Sequence, residues 1–478
     1  MGQVDKILNK LKNIAKTQTK KNKAEKALEA IAAFAEISYE WNQYYTDTEV
    51  ENLCDRIGYS LRGSIHSYEP QKGTVLYYDT FGFDIRGLSL IYLKALADLD
   101  YKIVYVTRDT KKNSQSILHK VLQDKQVAWE YLCFEEKYIT QIINLDEIVL
   151  RYRPEKIFMY SHPADIAGNI VFGRKQENVI RYKINLTDHA YWLGTHSLDF
   201  CIEFRDYGCT ISEFHRYINK EKLVKLPYYP YVDREIKLEK LPFSSNRRYV
   251  FSGGALYKTL GEGNKYYRIV EHILNADKDI IFLYAGNGDD SQLRILIDKY
   301  PNRVYHTSER KDFFQIIEGA VFYLNTYPVV GALMTQYSAL AGRIPITLRH
   351  NTASNGFLIN QEKLHIEFDT IEECEDEIDK LLLDPSYLET RQNAIRNSVI
   401  SEEEFCNSLF DILSSNKSKF DIALSSPVNN EIQEEYRYRM KTSAVMNAIA
   451  KKRHISLFTR YPLLFLKRFI VFRRMEEN

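Results

Sequence analysis

The feature that most constrains the fold of this chain is an alternation of short apolar segments with longer amphipathic ones. The first run begins at residues 74–79, which a glycine-bearing loop and a leucine-rich helical stretch separate from a second apolar segment at 102–107. A strand, a helix and a strand in this order form a βαβ unit, whose two strands lie parallel in one sheet. Further predicted strands follow at 127–134, 156–160, 179–186 and 199–204. The sequence therefore predicts a mainly parallel, doubly wound α/β sheet.

The same alternation restarts after residue 247. Predicted strands lie at 248–252, 279–285, 303–306, 321–327 and 344–348, and helical patterns follow at 370–383, 385–398 and 401–414. A chain of 478 residues is too long for one ordinary core, so we expect two Rossmann-like domains, 71–232 and 248–415. Residues 225–246 contain three prolines and no periodicity, which predicts a linker at 233–247.

The two ends of the chain differ from this pattern. Residues 4–15 have apolar side chains at helical spacing with lysines between them, and they open an N-terminal helical accessory segment, 1–70, that includes a more apolar stretch at 27–41 and an acidic connector. At the other end, 416–478 is predicted to form helices and, from Lys451, a basic amphipathic tail. We predict that both ends attach peripherally to an anionic membrane surface. Packing of the tail on this protein or on a partner is the alternative.

Composition narrows the functional classes. The 65 basic and 64 acidic residues leave a net charge of +1, which argues against a dedicated nucleic-acid binder. The six cysteines form no CxxC pair, so neither a zinc site nor a disulfide framework is expected. No stretch approaches the roughly 18 apolar residues of a membrane span, and the lysine-rich start lacks the apolar core of a signal peptide. We predict a cytoplasmic location, with attachment to the inner face of the cell membrane.

Glycines cluster where predicted strands of the second domain end, which is the edge at which open parallel sheets bind ligands. Glycine lets backbone amides approach a phosphate group, and a nearby lysine or histidine can bind a phosphate, a ribose or a base. Ordinary strand-to-helix turns and capping residues would give the same pattern. The candidates at these junctions are Gly253, Gly254, Lys258, Gly286, Asn287 and His306.

Residues 324–346 form the most specific motif, with a strand, a loop, a short helix opened by Gly331, a tight turn at Gly342 and a new strand at Pro345. This segment resembles the nucleotide-sugar domain of GT-B glycosyltransferases, including O-GlcNAc transferase-like proteins. The resemblance implies two Rossmann-like domains that face a cleft, with a donor diphosphate on the amides of the helix. It places Gly331, Ala332, Thr335 and Gln336 near the diphosphate and ribose, and Lys258 near the phosphates. A UDP-sugar is the favoured donor, and no metal is required.

The sequence departs from the retaining members of that class. They commonly have a glutamate where this chain has Ser338, and a further carboxylate where it has 327–331. An inverting mechanism is therefore expected, in which a side chain of the first domain removes the acceptor proton. The candidate bases on first-domain loops are Asp84, His162, Asp188 and His189. Each also has a structural interpretation, as a helix cap, a turn residue or a packed ring.

The resemblance implies a hexosyltransferase that transfers a sugar from a nucleotide-sugar to a glycan, lipid-linked or protein acceptor in surface-glycan or glycoconjugate biosynthesis. Two alternatives share the fold. One is a nucleotide-sugar 2-epimerase-like enzyme, and the other is a non-catalytic GT-B subunit that stabilises an active partner. The missing carboxylates keep the last alternative open.

Overall fold

A computed structural model describes residues 3–40, 44–61, 68–81, 87–108, 117–134, 136–174, 176–350 and 356–425. The chain forms two compact units. The first combines the residues up to Pro227 with those from Glu402 onward, and the second is Tyr228–Ser401.

The first unit opens with three helices and continues as a parallel α/β sheet. Its helices are α1 (Gln3–Lys20), α2 (Ala24–Glu40), α3 (Thr48–Ser60), α4 (Leu88–Asp98), α5 (Ile117–Leu122), α6 (Tyr138–Tyr152), α7 (Ala167–Phe172) and α8 (Asp206–His215). Its strands are β1 (Gln71–Asp79), β2 (Lys102–Arg108), β3 (Val127–Leu132), β4 (Pro154–Tyr160), β5 (Ile180–Asn185), β6 (Phe200–Glu203) and β7 (Leu223–Lys225). The strand order is β3-β2-β1-β4-β5-β6-β7, and every described pair is parallel.

The second unit repeats this architecture with one strand fewer. Its strands are β8 (Tyr249–Gly253), β9 (Ile281–Ala285), β10 (Val304–Thr307), β11 (Tyr323–Leu324), β12 (Pro345–Leu348) and β13 (Glu367–Phe368), in the order β10-β9-β8-β11-β12-β13. Its helices are α9 (Lys265–Ala276), α10 (Ser291–Lys299), α11 (Phe313–Gly319), α12 (Ala332–Leu340), α13 (Ile371–Leu383) and α14 (Pro385–Ile395). In both sheets the strand order reverses once, between β1 and β4 and between β8 and β11.

The last described helix, α15 (Glu402–Ser415), belongs to the first unit and not to the second, where the sequence placed it. Its buried residues Phe405 and Leu409 supply the apolar face, and the ring of Phe405 lies 5.0 Å from that of Tyr92 on α4, edge to face. An amphipathic pattern shows that a helix needs an apolar surface to cover, but it does not say which domain offers that surface.

The predicted linker packs against the second sheet. Phe243 lies 5.2 Å from Tyr249 and 5.3 Å from Tyr305, measured between ring centroids. The Glu239 amide donates a hydrogen bond to Asp312 over 2.7 Å. The segment has no periodicity because it follows an irregular path over the unit, and it still contributes apolar side chains to that core.

Helix α2 is the centre of the N-terminal helices. Ala27, Leu28, Ile31 and Phe34 are buried along with most of the remaining helix, which is the burial expected of a helix that is apolar on all sides. Helix α1 buries Ile7, Leu8, Leu11, Ile14 and Ala15 in the same core. The apolar face of α1 is therefore packed inside the protein and is not available to a lipid bilayer, and peripheral attachment of this end stays a prediction. The predicted tail from Lys451 lies outside the described residues. Among the helices that are described, none is long and apolar enough to cross a membrane.

A carboxylate from α2 caps another helix. The side chain of Glu25 accepts hydrogen bonds from the amides of Tyr138 and Ile139, each over 2.9 Å, at the first turn of α6. The residue before this helix, Lys137, makes no side-chain cap. Glu25 thus satisfies two amides that have no partner inside the helix and places a negative charge at the positive end of its dipole.

We expect Glu25→Ala to lower the free energy of unfolding of the first unit by about 1 kcal/mol, because two amides of α6 lose their acceptor. Hydrogen exchange should show faster exchange at Tyr138 and Ile139, and urea unfolding should show the lower midpoint. The control is Glu29→Ala, one turn further along α2, which removes a carboxylate that makes no hydrogen bond to the described residues of α6. Equal exchange in the two variants would contradict the capping role.

Candidate functional site

The candidate donor site lies at the carboxyl edge of the second sheet, where its strand order reverses between β8 and β11. Open parallel sheets bind ligands at this topological position because adjacent loops diverge there and leave a crevice. The loops after β8, β9 and β11 and the first turn of α12 all begin at this edge.

The loops after β8 and β9 touch each other through glycine backbone. A Cβ atom on Gly286 would lie 1.8 Å from the carbonyl oxygen of Gly254, which no side chain can occupy. Gly254 has φ +134°, a conformation open to glycine, and its amide donates to the Ala285 oxygen over 3.0 Å. A Cβ on Gly253 would also approach that Ala285 oxygen, at 3.0 Å. Glycine is required here for loop packing, whatever the loops bind.

Two further backbone hydrogen bonds connect the three loops, one between the loops after β8 and β9 and one between the loops after β8 and β11. The Leu256 amide donates to the oxygen of Asn287 over 2.9 Å, and the Val329 amide donates to the oxygen of Lys258 over 3.3 Å. The predicted residues Asn287 and Lys258 thus lie on segments that are fixed relative to each other. The side chain of Lys258 is partly exposed.

The ring of His306 is hydrogen bonded to the loop after β9. Its Nε2 lies 2.8 Å from the carbonyl oxygen of Gly286, and its Nδ1 lies 3.6 Å from a carboxylate oxygen of Asp290. Because a carbonyl only accepts, Nε2 has to carry the proton. His306 therefore holds the glycine loop after β9, and a nucleotide contact through this ring stays a prediction.

Asn325 is the centre of the third loop, and it was not among the residues predicted from the sequence. Its Oδ1 accepts hydrogen bonds from the amides of Thr326 and Gly331, each over 3.0 Å, and its Nδ2 donates to the hydroxyl groups of Thr335 and Thr347 over 2.7 and 3.2 Å. A buried amide whose donors and acceptor are all used specifies a single loop conformation. An asparagine directly after a buried strand is the only sequence signal for this role.

The amides in the first turn of α12 are available to a ligand, whereas the side chains of Thr335 and Gln336 are hydrogen bonded within the protein. Residues 332–334, beginning with Ala332, are partly exposed, and amides in a first helical turn have no acceptor within the helix. Thr335 is buried, and its hydroxyl group also donates to the Gly331 oxygen over 3.2 Å. The buried Gln336 donates to the carbonyl oxygens of Tyr228 and Phe357 over 3.0 and 3.2 Å. Thr335 is thus bonded within the loop before α12, Gln336 is bonded to two other segments of the second unit, and the donor contacts predicted for both stay predictions.

The carboxyl edge of the first sheet contains the predicted bases, apart from Asp84, which lies outside the described residues. Asp188 is buried, and its carboxylate accepts hydrogen bonds from Arg205 over 2.6 and 3.0 Å. Burial alone would raise the pKa of Asp188, but the Arg205 charge and hydrogen bonds from His189 and Arg205 outweigh it and hold this pKa well below its usual range. A carboxylate that binds protons so weakly is a poor general base.

His189 is oriented by its neighbour. Its Nδ1 lies 3.3 Å from Asp188 Oδ1, and because the carboxylate only accepts, Nδ1 carries the proton. In the neutral ring this leaves Nε2 as the proton-accepting nitrogen. The pair has the arrangement in which a carboxylate fixes the tautomer of a basic histidine.

His162 has the opposite tautomer. Its Nδ1 accepts a hydrogen bond from the Ala164 amide over 3.2 Å, so the neutral ring carries its proton on Nε2 and donates there. Its own amide donates to the hydroxyl group of Thr80 over 2.6 Å, across the strand-order reversal between β1 and β4. The structure therefore favours His162 as a hydrogen-bond donor and disfavours it as a base.

Buried ions hold the loops that carry these histidines. Lys183 donates to the hydroxyl group of Ser161, next to His162, over 2.6 Å. Burial lowers the pKa of Lys183 to about 8, although the charge of Asp165 acts to raise it. Arg216 donates to the carbonyl oxygens of residues 187, 188 and 190, and Glu51 on α3 accepts from the Gly194 amide over 2.8 Å. These residues are not recognisable from the sequence, because a buried charge on an apolar strand or helix belongs to no motif.

No protein-family model matches the chain, and no curated protein matches it by sequence. Solved structures do match it. An O-GlcNAc transferase mutant from Thermobaculum terrenum has a TM-score of 0.51 and 12% identity over 90% of this chain and 85% of its own. HepE from Anabaena, in complex with UDP and glucose, has a TM-score of 0.52 and 12% identity over 72% of this chain and 99% of its own. A putative UDP-N-acetylglucosamine 2-epimerase from Listeria monocytogenes has a TM-score of 0.50 and 10% identity over 75% of this chain and 100% of its own.

Structural similarity at such low identity establishes an architecture and not an activity. Each of the two parallel sheets has a single strand-order reversal, which agrees with that architecture. The close approach of Gly254 and Gly286 and the α12 segment agree with it as well. This chain has the GT-B glycosyltransferase fold, as the segment around Gly331 predicted.

Proposed function

We propose that this chain is a glycosyltransferase that moves a sugar from a nucleotide-sugar donor to a glycan, lipid-linked or protein acceptor. One observation carries the proposal: three loops and the amides of a helix N-terminus converge at the strand-order reversal of the second sheet, with glycines at the closest approach. Such amides and a helix dipole bind phosphate groups, and Lys258 on the same loops adds a positive charge.

UDP is the nucleotide that this proposal favours. HepE is a structural neighbour in complex with UDP and glucose, and the Listeria neighbour is described as a putative UDP-sugar epimerase. A hexosyl donor, an inverting reaction, a role in surface-glycan biosynthesis and a cytoplasmic location belong to the same proposal. In it, the second unit binds the donor diphosphate, and the first unit binds the acceptor and supplies the base.

The decisive experiment incubates the full-length chain with UDP-, GDP-, CDP- and dTDP-sugars and measures nucleoside diphosphate release, sugar interconversion and nucleotide binding. Slow release of nucleoside diphosphate that accelerates with an acceptor extract supports the transferase. Interconversion of two UDP-sugars supports the epimerase that the Listeria similarity suggests. Absence of binding to all four nucleotides by calorimetry would overturn the proposal and favour a non-catalytic subunit.

We expect three substitutions to weaken UDP binding. Lys258→Ala deletes a charged hydrogen bond of about 1.5 to 3 kcal/mol, which corresponds to a roughly 10- to 150-fold higher Kd. Gly331→Val crowds Met334 and Asn325, because its Cβ alone would lie 3.3 Å from the Met334 Cβ. Gly286→Ala forces the loops after β8 and β9 apart. Calorimetric titration with UDP measures the effect.

The control for these variants is Lys278→Ala, which removes an exposed lysine elsewhere on the second unit. Its UDP affinity should equal that of the wild type. If Lys258→Ala and Gly286→Ala also bind UDP with unchanged affinity while remaining folded, the donor site lies elsewhere.

We expect His189→Ala to lower kcat by about a hundredfold or more without changing UDP affinity, because it removes a general base. The matched control is His196→Ala, in the same loop region, which should retain its rate. His162→Ala removes a hydrogen-bond donor, so it should raise the KM for the acceptor more than it lowers kcat. If these variants and Asp84→Asn all retain the wild-type rate, the base lies elsewhere or the reaction is not inverting.

Asp188→Asn should lower stability as well as turnover. It leaves the Arg205 guanidinium buried without its counter-charge, which typically costs about 3 to 5 kcal/mol. Because the folded pKa of Asp188 is depressed, its stabilisation is complete above the ordinary carboxyl pKa of about 4 and is lost as the pH falls toward the folded value. Urea unfolding at several pH values should show wild type and variant converging only below pH 4. Equal stability at pH 7 would contradict the buried ion pair.

A further inference from the structure

One face of α1 is polar, exposed and free of carboxylates. The exposed positions of this helix are Lys6, Asn9, Lys10, Asn13, Thr17 and Lys20. At 3.6 residues per turn they fall within an arc of about 100°, opposite the face that packs on α2. The turn that follows adds two more exposed lysines, Lys21 and Lys23.

These cations differ from their neighbours on the same helix. Lys12 binds Asp47 over 2.8 Å, and Lys16 pairs with Glu49, so the two lysines toward α3 are neutralised. Among the described residues, no ion pair involves Lys6, Lys10, Lys20, Lys21 or Lys23. We call these five the lysine face. It carries its charge although the chain as a whole has a net charge of only +1.

The charges of the lysine face are spread along the length of α1. Its first pair and its last three residues are about 15 Å apart along a helix of about 27 Å. An anionic partner has to meet charge at both ends of a straight segment. The Asn and Thr residues between the ends add hydrogen-bond donors and no repulsive charge.

We propose that the lysine face docks the protein on an anionic phospholipid surface by charge alone, without insertion of α1. The apolar residues of this helix are buried in the protein core, so they do not contribute to membrane binding. Lysine is a point charge without the planar fork that reads a single phosphate in fixed geometry, and no aromatic ring is exposed on this face to stack on a base. A fluid layer of anionic headgroups adapts to such a row of charges, and each lysine near it contributes about a fivefold gain in affinity at moderate salt.

The test is co-sedimentation of the full-length chain with phosphatidylcholine vesicles that contain 30% phosphatidylglycerol, or none. The variant combines Lys6→Gln, Lys10→Gln and Lys20→Gln. Its matched control combines Lys102→Gln, Lys220→Gln and Lys222→Gln, three lysines of the first unit that are also exposed. We expect the variant to bind the anionic vesicles at least about tenfold more weakly than the wild type, and the control to lose less than about threefold.

Ionic strength adds a second readout. Because docking by charge is screened, the difference between wild type and variant should disappear at 0.5 M NaCl. Equal vesicle binding by variant and wild type at 0.1 M NaCl would overturn the proposal, as would tighter binding of the wild type to a 20-base-pair DNA duplex than to the anionic vesicles. UDP affinity of the variant is measured in parallel and should be unchanged, so failure of this proposal and failure of the donor site give different results.

Discussion

Both units depend on one constraint, which is that the loops at the carboxyl ends of buried parallel strands need polar partners inside the protein. Backbone amides and carbonyls that leave water must be hydrogen bonded, and a loop cannot use the ladder of a sheet. In the second unit, Asn325 meets this need for the segment between β11 and α12. In the first unit, Arg216 donates hydrogen bonds to three carbonyl oxygens of the loop after β5, those of residues 187, 188 and 190. The same interactions that satisfy the backbone fix the shape of the candidate site.

Loops fixed in this way reduce the entropic cost of binding, because their conformation is set before a ligand arrives. The close approach of Gly254 and Gly286 also keeps this entropic cost low, because a contact made by backbone atoms leaves no side chain to be ordered. In the first unit the loops are held by charged side chains, whose burial has a larger desolvation cost than the burial of neutral groups. Asp188 offsets that cost through its pairing with Arg205, and it also sets the tautomer of His189. A residue that stabilises the fold thus also fixes the protonated nitrogen of its neighbour.

The sequence predicted the central strands of both parallel sheets, because these strands are short continuous apolar runs, and it missed the short edge strands β7 and β13. It missed α3, since Glu49 and Glu51 made the segment resemble an acidic connector. Glu51 is in fact buried and accepts hydrogen bonds from a distant loop, a partner that no local pattern contains. The positions of Gly286 and Gly331 were predictable from strand ends. The roles of Asn325 and Lys183 were not, because they depend on contacts between elements far apart in sequence.

The residues at the two carboxyl edges also bear on the inverting mechanism within the proposed function. Ser338, which stands where retaining relatives commonly have a glutamate, is buried, and its hydroxyl group donates to the Arg343 oxygen over 2.7 Å at the end of α12. It completes the turn and has no acid–base capacity. Within the proposed function, the amides and dipole of α12 and the charge of Lys258 stabilise negative charge on a leaving group. The same proposal assigns proton removal to the first unit, where Asp188 fixes the tautomer of His189 and leaves its Nε2 as the proton-accepting nitrogen.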